Sequence, residues 1–288
     1  MAELLALLAA CAFGVGTVLQ QKGTLSVPLA SDDPNFFKRL VRTPVWLAGG
    51  ALQAVGWVLQ AAALDLGELV LVQPIIMLSL VIALPFGVWL TGQRIGRREI
   101  AGAFATVIGL TVFVVVSQPA AGTETGTATA WVLSTLAVAA LIGGLMLTVR
   151  GRPPGVAAVL FGTASGVCFG FQAAATKVFV QHLGQGVLAL LETWSVYALI
   201  ASALVGFVLQ QSALKTGVLA PAMASTNVAN MIVSVVLGAF VFQETLSRGH
   251  GRLLVSIAAL AVTVLGVLSL AKAEAPAPSP RSAPSGTS

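Results

Sequence analysis

Side-chain amides inside long apolar stretches are the first candidates for chemistry in this sequence. Asn227, Asn230 and Ser234 follow i, i+3, i+7 spacing, which places them on one face of a helix. Because lipid cannot satisfy an amide, this face should point towards protein or water. It either lines a path for a polar solute, together with Gln73 of an earlier stretch, or hydrogen-bonds a neighbouring helix.

Carboxylates near the ends of the apolar stretches form a second group. Glu192 lies one turn into such a stretch, and Asp65 and Glu68 flank a tight connection between two others. Together they could form an outer vestibule that attracts cations and binds a hydrated metal cation through hard oxygen ligands. The predicted route for a cation then runs from the metal ligands Glu192, Asp65 and Glu68 along the amides and the hydroxyl named above.

Each carboxylate also has a simpler interpretation. Acids in loops are usually solvated, which would account for Asp65, Glu68, Glu124 and Glu244. Glu192 could instead anchor its helix at the membrane interface, beside the aromatic residues that follow it. The sequence leaves both interpretations open.

The elements that must position these residues are nine long apolar stretches. Hydrophobic residues make up 57% of the 288-residue chain and charged residues only 9%, which is too little polar surface for a soluble globule of this size. A helix of about 20 apolar residues spans a bilayer. The sequence therefore predicts an all-α membrane protein with about nine transmembrane helices, at residues 3–21, 44–64, 67–90, 98–117, 129–149, 155–180, 187–209, 217–242 and 251–271.

The same pattern argues against several classes of function. The net charge of +5 comes from basic residues in short loops between apolar stretches, so nucleic-acid binding is not expected. Cys11 and Cys168 both fall inside spans, where a thiol acts as a small apolar group, and they predict no disulfide or metal cluster. The chain has no GxxxxGK motif, which argues against ATP-driven pumping. We expect neither an enzymatic activity nor a cofactor.

The distribution of lysine and arginine predicts the orientation. Most of the 15 basic residues fall in loops after odd-numbered spans or in the C-terminal tail, whereas Arg248 and Arg252 lie on the other side. Because cytoplasmic loops carry the excess of positive charge, the N-terminus is predicted outside and the C-terminus inside a cell membrane. Residues 272–288 lack core-forming side chains and are predicted to be a disordered tail.

An internal duplication relates the segments Val58–Gly67 and Val208–Gly217, which align with a constant offset of 150 residues and share the tripeptide VLQ. Residues 1–117 and 155–271 are therefore predicted to be two four-helix repeats, joined by a linker, 118–154, that holds one span. A single span between the copies inverts the second copy, an arrangement typical of secondary transporters. Pro74 and Pro221, in the third span of each copy, are predicted to kink their helices.

Several short motifs are spread over residues 5–271. They are Lys22-Gly23, TPVW at Thr43–Trp46, LVQPIIMLS at Leu71–Ser79, the steps from Thr91 to Gly102 and from Phe242 to Leu246, and Thr193-Trp194 with Gln210. These motifs resemble those of the drug/metabolite transporter (EamA-like) superfamily and, within it, the NIPA-like branch associated with magnesium transport. Nine spans with an outside N-terminus also suit this branch.

The resemblance implies a secondary transporter or facilitator that moves Mg²⁺ or another divalent cation. Two alternatives stay open. The same fold could move a small metabolite or drug, which the scarcity of acids deep in the spans favours, or the chain could be a membrane scaffold that transports nothing. The expected partners are the lipid bilayer and a small solute or cation, and the sequence leaves open whether the chain forms a homodimer.

Overall fold

The computed structural model describes residues 1–26, 39–91, 96–117, 122–123, 125–183, 191–216, 219–245 and 250–273. Glu124, Arg248 and residues 274–288 of the predicted tail lie outside these ranges. The described part holds ten helices, α1 (Ala2–Leu25), α2 (Pro44–Leu66), α3 (Leu69–Ile76), α4 (Leu78–Thr91), α5 (Arg97–Ser117), α6 (Ala128–Val149), α7 (Pro154–His182), α8 (Trp194–Lys215), α9 (Leu219–Phe240) and α10 (His250–Ala273).

Helices α3 and α4 follow each other within one span, so the described residues contain nine segments long and apolar enough to cross a membrane. The protein is an all-α membrane protein, as the sequence predicts. The predicted tight connection after the second span is also confirmed, because α2 ends at Leu66 and α3 begins at Leu69. At this turn a Cβ on Gly67 would lie 2.7 Å from the Cβ of Ala2. The N-termini of α1 and α3 therefore lie at the same end of the helix bundle.

The two prolines predicted to kink their helices have different surroundings. Pro74 lies inside α3, which stops two residues later, and Met77 separates α3 from α4. Pro74 has no N–H to bond the carbonyl of Val70 four residues earlier, so it weakens α3 on the N-terminal side of the break rather than at Met77 itself. Pro221 lies in the first turn of α9, where its missing N–H would have no helical partner anyway. Helix α9 runs without interruption from Leu219 to Phe240, and the kink at Pro221 stays a prediction.

The helices of the two halves pack in the same order. In the first half, α1 packs against α2 and α4, and in the second half α7 packs against α8 and α9. The last helices of the halves, α5 and α10, pack against each other. This repeated order is what an inverted duplication would produce, with α1 to α5 as one copy and α7 to α10 as the other.

The linker helix α6 stands at the edge of this arrangement and makes most of its contacts with α7. Its first turns are anchored by Trp131, whose ring centroid lies 5.8 Å from that of Phe171, 4.5 Å from that of Trp194 and 5.8 Å from that of Phe242. The indole Nε1–H donates a hydrogen bond to the backbone oxygen of Thr125 at 2.7 Å. Aromatic contacts thus fix one end of α6 to the second copy, and the rest of this helix is largely exposed.

Small residues bring α7 and α9 close together. Gly162, Gly166 and Gly170 all face α9, and a Cβ on Gly170 would lie 2.8 Å from the backbone oxygen of Asn230. Membrane helices approach each other most closely where such residues meet, because no side chain keeps the backbones apart. The stripe places the polar face of α9 beside Gln172 and Thr176 of α7, where the candidate site lies.

Candidate functional site

A cavity of about 270 Å³ lies between the two copies, in the middle of the bundle. Helices α1, α2 and α4 of the first copy and α7, α8 and α9 of the second copy form its wall, with Ile76 from the end of α3. Both copies contribute to the wall because each presents its first three spans to the other. A cavity between inverted copies is the usual place of the substrate site in secondary transporters.

Amides and hydroxyls supply the polar part of this wall. Its residues include the amides Gln20, Gln53, Gln60, Gln172, Gln210, Asn227 and Asn230, and the hydroxyls Thr17, Ser79, Thr176 and Thr226. No lysine, arginine, histidine, aspartate or glutamate is among the described residues that line the cavity. The site can therefore donate and accept hydrogen bonds, but its wall carries no formal charge.

Equivalent positions of the two copies meet in the cavity. Gln60 and Trp57 of α2 correspond to Gln210 and Phe207 of α8 through the 150-residue offset, and all four side chains line the wall. The third span of the first copy contributes residues 76, 79, 80 and 83, and α9 contributes residues 223, 226, 227 and 230 with the same i, i+3, i+4, i+7 spacing. The cavity is thus lined by positions that the predicted duplication makes equivalent.

The two copies differ in polarity at these positions. In the first copy the wall has Leu80 and Ala83, whereas α9 has Asn227 and Asn230 at the corresponding places of its face. At these two positions the second copy is therefore the more polar, because α9 carries amides where the first copy carries apolar side chains.

Two hydrogen bonds hold polar side chains of the wall in place. Gln53 of α2 donates from Nε2 to Thr17 Oγ1 of α1 at 3.0 Å. Ser234 Oγ lies 3.3 Å from Asn230 Oδ1 and 3.5 Å from the backbone oxygen of Gly170. Because the Ser234 hydroxyl donates to the Asn230 oxygen, it orients the amide of Asn230 from behind the wall.

The predicted path residues divide into two groups. Asn227 and Asn230 line the cavity, as the spacing on their helix suggested. Ser234 is fully buried and lies behind Asn230, outside the wall. Gln73 is also buried and does not line the cavity, and neither of its side-chain polar atoms has a hydrogen-bond partner among the described residues.

The predicted metal ligands are not brought together. Asp65 and Glu192 have exposed side chains, and Glu68 is half-buried at the residue that precedes α3. The described residues contain no group of three or more His, Cys, Asp or Glu side chains that could hold a metal ion. The described structure therefore gives no support to a metal site at Glu192, Asp65 and Glu68, and this site stays a prediction.

Glu244 is the carboxylate that the sequence interpretation placed wrongly in solvent. Its side chain has 0% of its surface exposed, and its Oε1 lies 2.5 Å from Lys177 Nζ of α7. The same carboxylate accepts hydrogen bonds from the backbone N–H groups of Leu69, at 3.0 Å, and of Val70, at 2.9 Å. These two N–H groups belong to the first turn of α3. The N–H groups of a first turn have no partners within their own helix, and the helix dipole favours negative charge there. Glu244 of the second copy thus caps a helix of the first.

Other members of the site gave weaker signals in the sequence. Gln20, near the end of α1, lines the same cavity as Gln172 of α7. Four aromatic side chains of the wall, Phe13, Trp57, Phe169 and Phe207, have no pattern that separates them from ordinary apolar residues of a span.

Comparisons with known proteins give two distant relatives. An uncharacterized protein of Corynebacterium glutamicum is 29% identical over 274 residues, which cover 94% of this chain and 95% of that protein. A protein of Arabidopsis thaliana named "Probable magnesium transporter NIPA9" is 26% identical over 284 residues, which cover 92% of this chain and 80% of the relative. No family model matches the chain, and no solved structure matches it.

Proposed function

We propose that the protein is a secondary transporter or facilitator that carries a small solute through the cavity by alternating access of its two inverted copies. The observation that carries this proposal is the concentration of amides and hydroxyls from both copies around one cavity inside a membrane bundle. A polar cavity at the interface of repeats binds a solute midway across the bilayer, and rocking of one copy against the other exposes it to either side. A scaffold would have no need of such a cavity.

The leading substrate is Mg²⁺ or another divalent cation, carried with part of its water shell. The similarity to a relative named as a probable magnesium transporter supports this choice, as does the resemblance of the sequence motifs to the NIPA-like branch. Mg²⁺ gives up its water reluctantly and usually keeps several water ligands. Amide and hydroxyl oxygens of the wall can accept hydrogen bonds from those waters, and a wall without carboxylates would not hold the ion too tightly for release.

A small, uncharged organic solute is the second candidate, and the aromatic part of the wall favours it. Phe13, Trp57, Phe169 and Phe207 line the same cavity as the amides. Binding sites for small organic molecules combine apolar and aromatic surface with a few polar groups that fix the orientation of the ligand. Such a solute would use the aromatic rings and the amides together, whereas a hydrated ion uses the amides alone.

Flux measurements in reconstituted vesicles test the proposal. The purified protein is placed in liposomes that contain a magnesium-sensitive dye, and magnesium is added outside. We expect the wild type to raise the dye signal faster than protein-free liposomes, and Asn230→Leu to lose most of this flux because it removes an amide from the wall. Thr111→Val is the control, because Thr111 is exposed on α5 and bonds only to its own helix backbone in the described structure.

Two outcomes would count against the proposal, one against its substrate and one against its route. Wild-type flux equal to that of empty liposomes removes the cation hypothesis, and equal flux through the wild type and Asn230→Leu removes the cavity as the route. Protection of a cavity cysteine, Ser79→Cys, from a thiol reagent by uncharged metabolites but not by Mg²⁺ would then favour the second candidate. Glu192→Gln should leave the flux unchanged, since the Glu192 side chain is exposed and outside the wall.

A further inference from the structure

The carboxylate of Glu244, which is paired with Lys177, joins the two copies at one end of the bundle through its hydrogen bonds to α3. Lys177 is on α7 and Glu244 follows α9, both in the second copy, whereas the N–H groups that Glu244 caps belong to α3 of the first copy. A single carboxylate thus bridges three elements. Any movement that separates α3 from α7 and α9 at this end must break these bonds.

The pair lies directly above the cavity along two helices. Thr176, the residue before Lys177, lines the wall, and so does Ile76, which ends the helix that Glu244 caps. From Leu69 to Ile76 the helix rises by about 10 Å, at 1.5 Å per residue. The ion pair is therefore within two helical turns of the wall, at the end that holds the N-termini of α1 and α3.

Gln73 lies on α3 between this pair and the cavity, one turn from each. It is buried, and its two polar side-chain atoms have no hydrogen-bond partner among the described residues. A buried amide without partners is costly unless water or a solute reaches it in another state of the protein. Gln73 is thus a buried polar group on α3 between the cavity wall and Glu244.

We propose that the Lys177–Glu244 pair is the gate that closes this end of the cavity, and that the path opens there when the carboxylate leaves Lys177 and the N-terminus of α3. The proposal rests on the alternating access proposed above and assigns one of its two gates. The neighbouring structure suits a separable contact. Lys177 is also held over the ring of Phe242, with Nζ 5.2 Å from the ring centroid, so the lysine keeps one partner when the carboxylate moves away.

The segment that carries the carboxylate is closely fitted to α3. A Cβ on Gly238 would lie 2.7 Å from Glu244 Oε2 and 2.6 Å from Val70 Cγ2, so only glycine leaves room for the closed gate. Gln243, the residue before Glu244, has a φ of 55°, in the left-handed region that non-glycine residues rarely adopt. Such a conformation persists where surrounding contacts hold it, and the three bonds of Glu244 are contacts of that kind.

Side-specific labelling of a cysteine in the cavity tests the gate without knowledge of the substrate. Cys11 and Cys168 are replaced by alanine, and Ser79→Cys serves as the reporter because Ser79 lines the wall. A membrane-impermeant maleimide is applied to sealed vesicles from either face. In this background we expect slow labelling from the face that bears the α3 N-terminus.

Opening the gate should raise the labelling rate from that face alone. We expect Glu244→Gln to raise it at least about tenfold, since loss of the charge contact shifts the equilibrium towards the open state. Lys177→Met should also raise the labelling rate, because it removes the positive partner of Glu244 and leaves only the N–H groups of α3 to hold the carboxylate. Gly238→Ala should raise the rate as well, because the added methyl group displaces Glu244 Oε2 without removing a charge. Glu3→Gln, which alters an exposed carboxylate at the same end, should label at the background rate.

The proposal is overturned if all three variants label at the background rate from that face, or if they label faster from both faces alike, as a loosened fold would. A variant that does not purify as a folded protein is replaced by either of the other two. If the wild type carries no magnesium but the variants label faster, the proposed substrate is wrong and the gate is supported. If the variants label at the background rate and flux is normal, the gate is wrong and the proposed function is supported.

Discussion

Gly109 of α5 packs directly against Thr263 of α10, and the equivalent contact is repeated with the roles of the helices exchanged. A Cβ on Gly109 would lie 2.6 Å from Thr263 Oγ1, and a Cβ on Gly266 would lie 2.5 Å from Thr106 Oγ1. Position 106 pairs with 266 and position 109 with 263, so the helices run antiparallel. Reciprocal contacts between antiparallel helices are what a two-fold axis between inverted copies produces.

Replacement of Gly109 by alanine should therefore destabilise the contact between α5 and α10. The added methyl group would overlap the Thr263 hydroxyl and the backbone of Ala259, and overpacking of this kind costs about 1–3 kcal/mol. Thermal unfolding of the purified protein in detergent measures the effect. Gly143→Ala on α6 is the matched control, because a Cβ there meets no atom within 4 Å. A melting temperature for Gly109→Ala equal to that of Gly143→Ala would contradict the prediction.

Much of the fold could be predicted from the sequence because lipid imposes a strong rule. Each span must be a helix of about 20 apolar residues, so hydropathy alone indicates the nine spans. The 150-residue offset between VLQ segments indicated the duplication, and it also relates Gln60 to Gln210 across the cavity. Helix ends were less certain, since the seventh span was predicted at residues 187–209 and α8 runs from Trp194 to Lys215.

Equivalent substitutions in the two copies should have similar effects on transport. Gln60→Leu and Gln210→Leu each remove one amide from corresponding places of the wall, and we expect each to lower the initial flux by about tenfold, as the loss of a hydrogen bond to the solute would. Flux into dye-loaded liposomes measures both. Ser212→Ala is the control, because Ser212 is two residues from Gln210 but bonds to the backbone of Val208 on its own helix. Loss of flux in only one of the two variants would show that the copies do not share the site equally.

Gln73 should be dispensable for stability and needed for transport. Because both of its polar atoms are buried without a partner among the described residues, Gln73→Leu should raise the free energy of unfolding by about 1–3 kcal/mol. Gln53→Leu is the matched comparison and should lower it, since Gln53 loses its hydrogen bond to Thr17. Thermal unfolding ranks the two variants, and flux measurements on Gln73→Leu complete the test. Unchanged flux would mean that Gln73 is not part of the route.

The carboxylates show why the site could not be predicted to the same extent. Hydropathy places Glu192 one turn inside a predicted span and Glu244 just after another, and it gives no partner for either carboxylate. Their environments differ because Glu244 meets the N-terminus of α3, which comes from 175 residues earlier in the chain, whereas Glu192 meets solvent. Contacts between distant segments are set by the packing of the two copies, and no local pattern around Glu244 carries that information.

The orientation predicted from the basic residues can be tested at the two ends of α6. Thr125 is exposed before this helix, and Gly155 follows it at the start of α7, where a Cβ meets no atom within 4 Å. The 22 residues of α6 span about 33 Å, so the two positions lie on opposite faces of the membrane. In a background without Cys11 and Cys168, Thr125→Cys in intact cells should react with an impermeant thiol reagent. Gly155→Cys should react only after the cells are permeabilised. The reverse result would place the N-terminus in the cytoplasm, and the face closed by Lys177 and Glu244 would then be the inner one.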